Sequence, residues 1–244
     1  MPEGPSIVIL REAAAPFTGR VVARVDGNSR LDIQRMHRRR IIGFRSWGKH
    51  FLIRFSDFAL RVHFMLFGSY RIDERRESTP RLSLEFRKGE LNFYACSLQF
   101  IDDDLDAVYD WSADVMSDAW NPRAARRKLL AQPQALVADA LLDQSIFAGV
   151  GNIIKNEVLF RTGVHPETRV GDLPPRKLGA LIREARDYSF DFYEWKKAFV
   201  LKKHWQVHAR TMCPRCGERL TFRAELGTRR RRAFYCERCQ VRYP

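Results

Sequence analysis

No run of this 244-residue chain is long and apolar enough to read as a membrane span. The start, Met1-Pro2-Glu3-Gly4-Pro5, is acidic and rich in Pro and Gly, unlike a secretory signal. Internal repeats are lacking, and the only low-complexity segment is the run Arg229 to Arg232. Acidic residues are few beside the basic ones, 29 against 43, which leaves a net charge of +14. Such an excess calls for a polyanionic partner, most commonly nucleic acid, with an inert basic surface as the plainer alternative. A disordered basic tail is excluded by 45% apolar and 12% aromatic residues, enough to build cores. Cysteine is sparse as well. Of five, Cys96 stands alone in an alternating stretch and reads as a buried structural thiol. An intracellular place is expected, cytoplasmic and nucleoid-associated if the source is bacterial.

The other four cysteines close the chain as Cys213-x2-Cys216-x19-Cys236-x2-Cys239. Two tight pairs supply four thiolates at the reach of a tetrahedral zinc ion, so a structural Zn2+ site is expected. A disulfide framework fits less well, because adjacent Cys-x-x-Cys pairs bridge poorly and nothing marks export. The four arginines inside the spacer would put positive charge on a stiff ribbon suited to a phosphate backbone.

Hydrophobic periodicity divides the rest. A helix is expected from Pro5 to about Ala14, with Ile7, Ile9, Leu10 and Ala13 on its apolar face. Strands follow at 21–25, 40–45, 51–55, 60–64, 81–86 and 91–100, with a turn at Lys88-Gly89; their spacing suggests two packed antiparallel sheets. Acidic stretches between Asp102 and Asp118 mark a boundary. Helical patterns then cover 123–132, 134–142 and 152–160, and Pro174-Pro175 opens a long helix to about Phe192. The domains expected are 1–110, 111–205 and 206–244.

Four short segments carry chemistry. If Met1 is removed, Pro2 becomes a secondary amine able to attack an aldehyde and form an iminium, with Glu3 beside it to move protons. Many chains begin this way to no purpose, so the segment alone decides nothing. Lys49, in Trp47-Gly48-Lys49-His50, projects an ammonium from a hairpin tip or is a solvated turn lysine. The run His63-Phe64-Met65-Leu66-Phe67-Gly68 is core or an exposed wedge that enters a base stack. Gly149-Val150-Gly151-Asn152 is a plain helix–helix turn or a close-approach turn whose following helix start binds an anion.

In their order, PEGP, WGKHFLIRF, HFMLFGSYRI, GVGN and the four-cysteine finger resemble the Fpg/Nei family of bifunctional DNA glycosylases, over nearly the whole chain. The start PEGP and the segment HFMLFG look closest to the endonuclease VIII branch. The resemblance implies an α+β multidomain fold: an N-terminal helix on a two-layered antiparallel β-sandwich, a helix–two-turn–helix domain and a zinc finger hairpin. It implies that Pro2 is the nucleophile at C1′, Glu3 its acid/base partner, and Lys49 a phosphate contact beside the lesion. His63, Asn152 and Arg231 would contact phosphate. Met65, Leu66 and Phe67 would fill the void left by a flipped nucleotide, and Cys213, Cys216, Cys236 and Cys239 would hold zinc.

That resemblance makes the chain a base-excision repair enzyme acting as a monomer on damaged DNA, with no membrane partner. Strand cleavage would proceed by β/δ-elimination from a Schiff base. Two positions depart from the family pattern: Ser6 stands where a second glutamate is usual, and Met65 where the branch often has a polar side chain. The short segment Phe199–Cys213 leaves little room for a loop capping 8-oxoguanine, so oxidised pyrimidines and abasic sites are the expected substrates. A retained Met1 would turn the proline nitrogen into an amide and block lyase chemistry. The competing readings are a non-catalytic binder of damaged DNA on the same scaffold and a zinc-ribbon protein of RNA binding or transcription.

Overall fold

Gly4 and Pro5 open the first helix, α1 (Gly4–Ala14), in the computed structural model, which describes residues 2–244. Proline in a first helical turn sacrifices only an N–H that has no helical partner there. Ile7, Leu10 and Ala14 repeat at helical spacing and are all buried. The chain clusters into two compact units, one ending at Tyr109 and one running from Asp110 to Pro244.

The first unit is built on six antiparallel strands: β1 (Val22–Asp26), β2 (Gly43–Trp47), β3 (His50–Arg54), β4 (Ala59–Ile72), β5 (Leu82–Phe86) and β6 (Glu90–Ile101). Their order is β1-β5-β6-β4-β3-β2. The two layers expected from the sequence are thus arms of one continuous sheet. The long strands β4 and β6 belong to both arms: Ala59 to Phe64 pairs with 96–101, and Ser69 to Ile72 pairs with 91–94. Between these stretches the register breaks, and the sheet folds there over a single core. Phe51 of β3 and Phe93 of β6, two strands apart in the sheet, have ring centroids 5.9 Å apart. Ile7 and Leu10 of α1 join Leu60, Val62, Leu82, Leu84 and Leu91 in the same cluster. Cys96 is buried, and burial pushes its thiol up to about 12, so it is an inert packing residue. A one-turn helix, α2 (Leu105–Val108), capped by the Asp104 carboxylate, ends this unit.

The second unit begins with α3 (Pro122–Leu130), whose Asn121 cap accepts from the N–H groups of Arg123 and Ala124. The helix expected over 134–142 is reduced to one turn, α4 (Val137–Ala140). At its start the Val137 N–H is drawn to the Thr168 carbonyl at 2.9 Å. Beyond its end, the Asp143 carboxylate takes the N–H and hydroxyl of Ser145, a local turn that competes with helix. α5 (Asn152–Thr162) stops at Gly163, whose φ of +66° suits the left-handed C-cap. α6 (Pro175–Lys197) runs past the expected Phe192, with Lys196 and Lys197 in its last turn, where cations favour the helix dipole. The hairpin of β7 (Thr221–Leu226) and β8 (Arg231–Tyr235) has one face in the helical core: Leu226, Ala233 and Tyr235 cluster with Val158, Leu159 and Leu181. No described helix is long and apolar enough to cross a membrane.

Candidate functional site

Pro2 is half-buried at the entrance to α1, and Glu3, at the N-cap, is 1% exposed. A carboxylate at a helix N-terminus meets unsatisfied N–H groups and the positive end of the dipole. The Glu3 carbonyl fixes the turn by accepting from Ser6 N–H at 2.8 Å. Met1, and with it the expected trimming, lies outside the described residues. α1 packs against β2 and β3, the strands that the Lys49 turn joins.

Gly48 and Lys49 form the two-residue link between β2 and β3, closed by the pair Trp47–His50. Gly48 has φ +52°, the sign that tight hairpin turns require at this position. Next to it lies an aromatic and imidazole cluster. His50 Nδ1 is 3.2 Å from the Tyr109 hydroxyl, its ring is 5.2 Å from that of His63, and Trp47 lies 5.0 Å from Tyr109. Burial, then Arg61, His63 and Lys49, push His50 down to about 3; burial, then Lys49 and Arg61, lower His63. Both shifts favour the neutral imidazoles, beside the two cations Lys49 and Arg61. That combination favours an incoming anion.

After Phe64 the strand bulges and the ladder shifts register. Met65, Leu66, Phe67 and Gly68 lie between the paired residues Phe64 and Ser69, opposite the single residue Ala95. Ala95 takes φ +46°, a conformation costly for a residue with a Cβ. Gly68 is required, since a Cβ there would lie 2.7 Å from both the Ala95 carbonyl oxygen and the Phe64 Cβ. The result is an apolar projection with Met65 54%, Leu66 55% and Phe67 84% exposed. Phe64 belongs to the core, and the next three residues are exposed.

In the second unit, Gly149 to Gly151 link α4 to α5, with Gly149 at φ +101°. The Gln144 side chain stitches this connection, donating to the carbonyls of Leu142 and Val150 and accepting from Gly149 N–H. Asn152 opens α5 behind a glycine N-cap, and the first turn carries no acidic residue of its own. The Asn152 Oδ1 atom is buried and, among the described residues, finds no hydrogen-bond partner, unlike Asn121 of α3. α5 packs against β8, so the helix of Asn152 adjoins the strand of Arg231. Arg229 pairs with Asp143 at 3.5 Å and Arg230 with Glu225 at 2.5 Å. Among the described residues no hydrogen bond or ion pair engages the guanidinium of Arg231 or Arg232, although the Arg232 carbonyl accepts from Lys155.

The sulfurs of Cys213, Cys216, Cys236 and Cys239 lie within 4.8 Å of one another, with Cys213–Cys239 at 3.8 Å and Cys216–Cys236 at 3.5 Å. Zinc–sulfur bonds of about 2.3 Å in a tetrahedron place sulfurs about 3.8 Å apart, so the donor set fits zinc and is too open for disulfides. The thiols perturb one another. Burial opposes ionisation of Cys213, but hydrogen bonds from the backbone of Cys216 and Arg215 bring it to about 7. Burial and the neighbouring thiols raise Cys236, and push Cys239 up to about 12. A divalent cation removes that mutual penalty.

Sequence reasoning passed over several residues that hold these parts. Glu157 is buried and accepts from the N–H groups of Gln206, Val207 and His208 at 2.7–3.0 Å, although burial raises its carboxyl. Lys155, Asn156 and Glu157, three consecutive polar residues in a helix otherwise rich in apolar ones and all buried, were the available signal. Asp139 and Gln144 carried none, since isolated polar residues near a turn are ordinary. A cavity of about 360 Å³ between Arg45, Arg54, Asp57 and Asp102 to Asp106 involves none of the expected site residues.

The family signature of the formamidopyrimidine-DNA glycosylase N-terminal domain matches residues 1–101, and that of the formamidopyrimidine-DNA glycosylase H2TH domain matches 112–188. Endonuclease 8-like 3 of Mus musculus is 30% identical over 83% of this chain and 35% of its own length. The DNA-(apurinic or apyrimidinic site) lyase Nei2 of Mycolicibacterium smegmatis is 32% identical over 58% of each protein. The chain thus spans about a third of the length of the endonuclease 8-like 3 relatives it matches. The fold matches that of Lactococcus lactis formamidopyrimidine-DNA glycosylase, solved with abasic-site DNA, at a TM-score of 0.86 and 21% identity, covering 98% of this chain and 100% of the other. Both signatures, found in sequence order over most of the chain, show that it belongs to the formamidopyrimidine-DNA glycosylase/endonuclease VIII family.

Proposed function

We propose that this protein is a bifunctional DNA glycosylase and abasic-site lyase of base excision repair. The observation that carries the reading is a carboxylate, Glu3, almost wholly buried beside a half-buried Pro2 at the mouth of α1. Burying a carboxyl group is costly, and this one stands one residue from the amine it would serve. After trimming of Met1, the Pro2 nitrogen bonds to C1′ as the base–C1′ bond breaks, and the base leaves with a proton. The sugar ring then opens at the C1′–O bond to give an iminium. The iminium acidifies the C2′ proton; its removal expels the 3′ phosphate, and a second elimination releases the 5′ phosphate. Glu3 serves as the proton carrier. Hydrolysis of the iminium frees the proline.

A nucleotide must leave the duplex to reach Pro2, at a cost of a few kcal/mol. Leu66 and Phe67 are suited to fill the vacated stack, with Met65 beside them. Lys49 and His63, with their neutral-imidazole and cationic surroundings, suit a phosphate; so do Asn152 at the start of α5 and Arg231 on its strand. The four cysteines would hold zinc as a structural cross-link with no open position for chemistry. Oxidised pyrimidines and abasic sites are favoured over 8-oxoguanine because the segment after Phe199 is short and tied down. Arg210 bonds to the carbonyls of Lys202 and Trp205, and Glu157 takes the next three N–H groups, which leaves no long free loop.

Borohydride trapping on a set of duplexes tests the reading. Covalent protein–DNA adducts are expected with abasic and oxidised-pyrimidine duplexes and only weakly with 8-oxoguanine. A trimmed protein that binds these duplexes and never traps is a non-catalytic binder of damaged DNA. The wedge is tested separately. Phe67→Ala should leave thermal stability within about 0.5 kcal/mol, as for an exposed side chain. It should weaken binding to an abasic duplex by about 1–3 kcal/mol, the scale of one lost base stack. Unchanged affinity for that duplex would exclude insertion.

A further inference from the structure

Zinc would fix only one end of the β7–β8 hairpin. The paired residues Thr221 and Tyr235 stand next to the cysteine end, whereas Leu226 pairs with Arg231 beside the tip, residues 227–230. The tip has a different anchor. Asp139, 8% exposed on α4, accepts from the Thr228 N–H at 2.8 Å and the Thr228 hydroxyl at 3.1 Å through Oδ2, and from the Arg229 N–H at 3.1 Å through Oδ1. Gly227, at φ +71°, makes the approach possible: a Cβ there would lie 2.4 Å from the Asp139 Oδ2. Just past Arg231, the ammonium of Lys155, 1% exposed, donates to the Arg232 carbonyl at 2.8 Å. Arg231 is therefore bracketed by two cross-links from the helices, one to residues 228–229 and one to 232.

We propose that Asp139 is a positioning residue for Arg231, holding the hairpin tip in the conformation that meets a DNA phosphate, with Lys155 as the second anchor. The inference rests on the phosphate role of Arg231 proposed above. An unanchored tip would have to be ordered on binding, at a cost in backbone entropy. Anchoring removes that cost beforehand. The sign of the expected effect separates positioning from charge. Removing an acidic side chain from the neighbourhood of a DNA-binding arginine should tighten binding if charge alone matters. Loss of positioning should weaken it.

The experiment measures affinity for an abasic-site duplex across a salt series with the full chain and four variants: Asp139→Ala, Asp139→Asn, Arg231→Ala and the double variant Asp139→Ala/Arg231→Ala. Asp139→Asn preserves shape while replacing one accepting oxygen, and carries the test should the alanine variant fold poorly. Amide hydrogen exchange over 227–232 reads the tip directly. Expected are roughly tenfold weaker binding for Asp139→Ala, about 1.4 kcal/mol, and a salt slope shallower by about 0.9. Faster exchange at the tip and no further loss in the double variant should accompany them. Arg231→Ala alone should weaken damaged and intact duplex alike. Tighter or unchanged binding in both Asp139 variants, with Arg231→Ala weakened, overturns the positioning role alone. An Arg231→Ala protein that binds like the parent removes the phosphate role, and this inference with it.

Discussion

Glu3→Gln should lower base excision by about 10²–10⁴-fold, the contribution of one positioned acid/base group. The substitution keeps the shape of a side chain that is 1% exposed and removes only its capacity to exchange a proton. Its structural cost is small: a charge at a helix N-terminus contributes about 0.3–1 kcal/mol. Duplex affinity should be unchanged, because Glu3 lies behind Pro2 rather than among the proposed phosphate contacts. On an abasic duplex no base has to leave, so Schiff-base formation should suffer less than excision does. Single-turnover excision of an oxidised pyrimidine, run beside trapping on an abasic duplex, separates the two steps. Excision within a few-fold of the parent would remove Glu3 from the chemistry.

Cys239→Ala is expected to have the largest effect on stability. Structural zinc contributes about 10–16 kcal/mol to the folding of small modules, and three thiolates retain little of it. The damage should not stay within the hairpin, since Leu226, Ala233 and Tyr235 pack into the helical core beside Val158 and Leu159. A chain of this size loses about 2–4 °C in Tm per kcal/mol, so a fall of more than about 10 °C is expected. Zinc content should drop from one ion per chain to none, and a chelator should reproduce the loss in the parent without adding to it in the variant. A variant that keeps one zinc ion, or melts with the parent, would refute the four-thiolate site.

Much of this was legible in the sequence because the physics is local. The Cys-x-x-Cys spacing fixes the reach of the sulfurs, and Gly48-Lys49 fixes a two-residue turn. The Pro174-Pro175 step fixes the start of α6. What escaped is non-local. A helix pattern over 134–142 gave way to one turn because Thr168, far along the chain, takes the Val137 N–H. Two sheets became one because β4 and β6 continue through the break at 65–68, which only pairing across the sheet reveals. The same break turns Met65, Leu66 and Phe67 outward, although their apolarity suits a core equally well. Asp139, whose partners lie 89 and 90 residues away, could not be read from spacing at all.

The most direct measurement is the site of attachment in the borohydride-trapped adduct. Protein trimmed of Met1 is reduced on an abasic duplex, digested, and its modified peptide sequenced by mass spectrometry. Attachment at the nitrogen of Pro2 is the predicted result, with no adduct from protein that retains Met1. Attachment through a lysine, Lys49 included, or equal trapping of the untrimmed chain would contradict it.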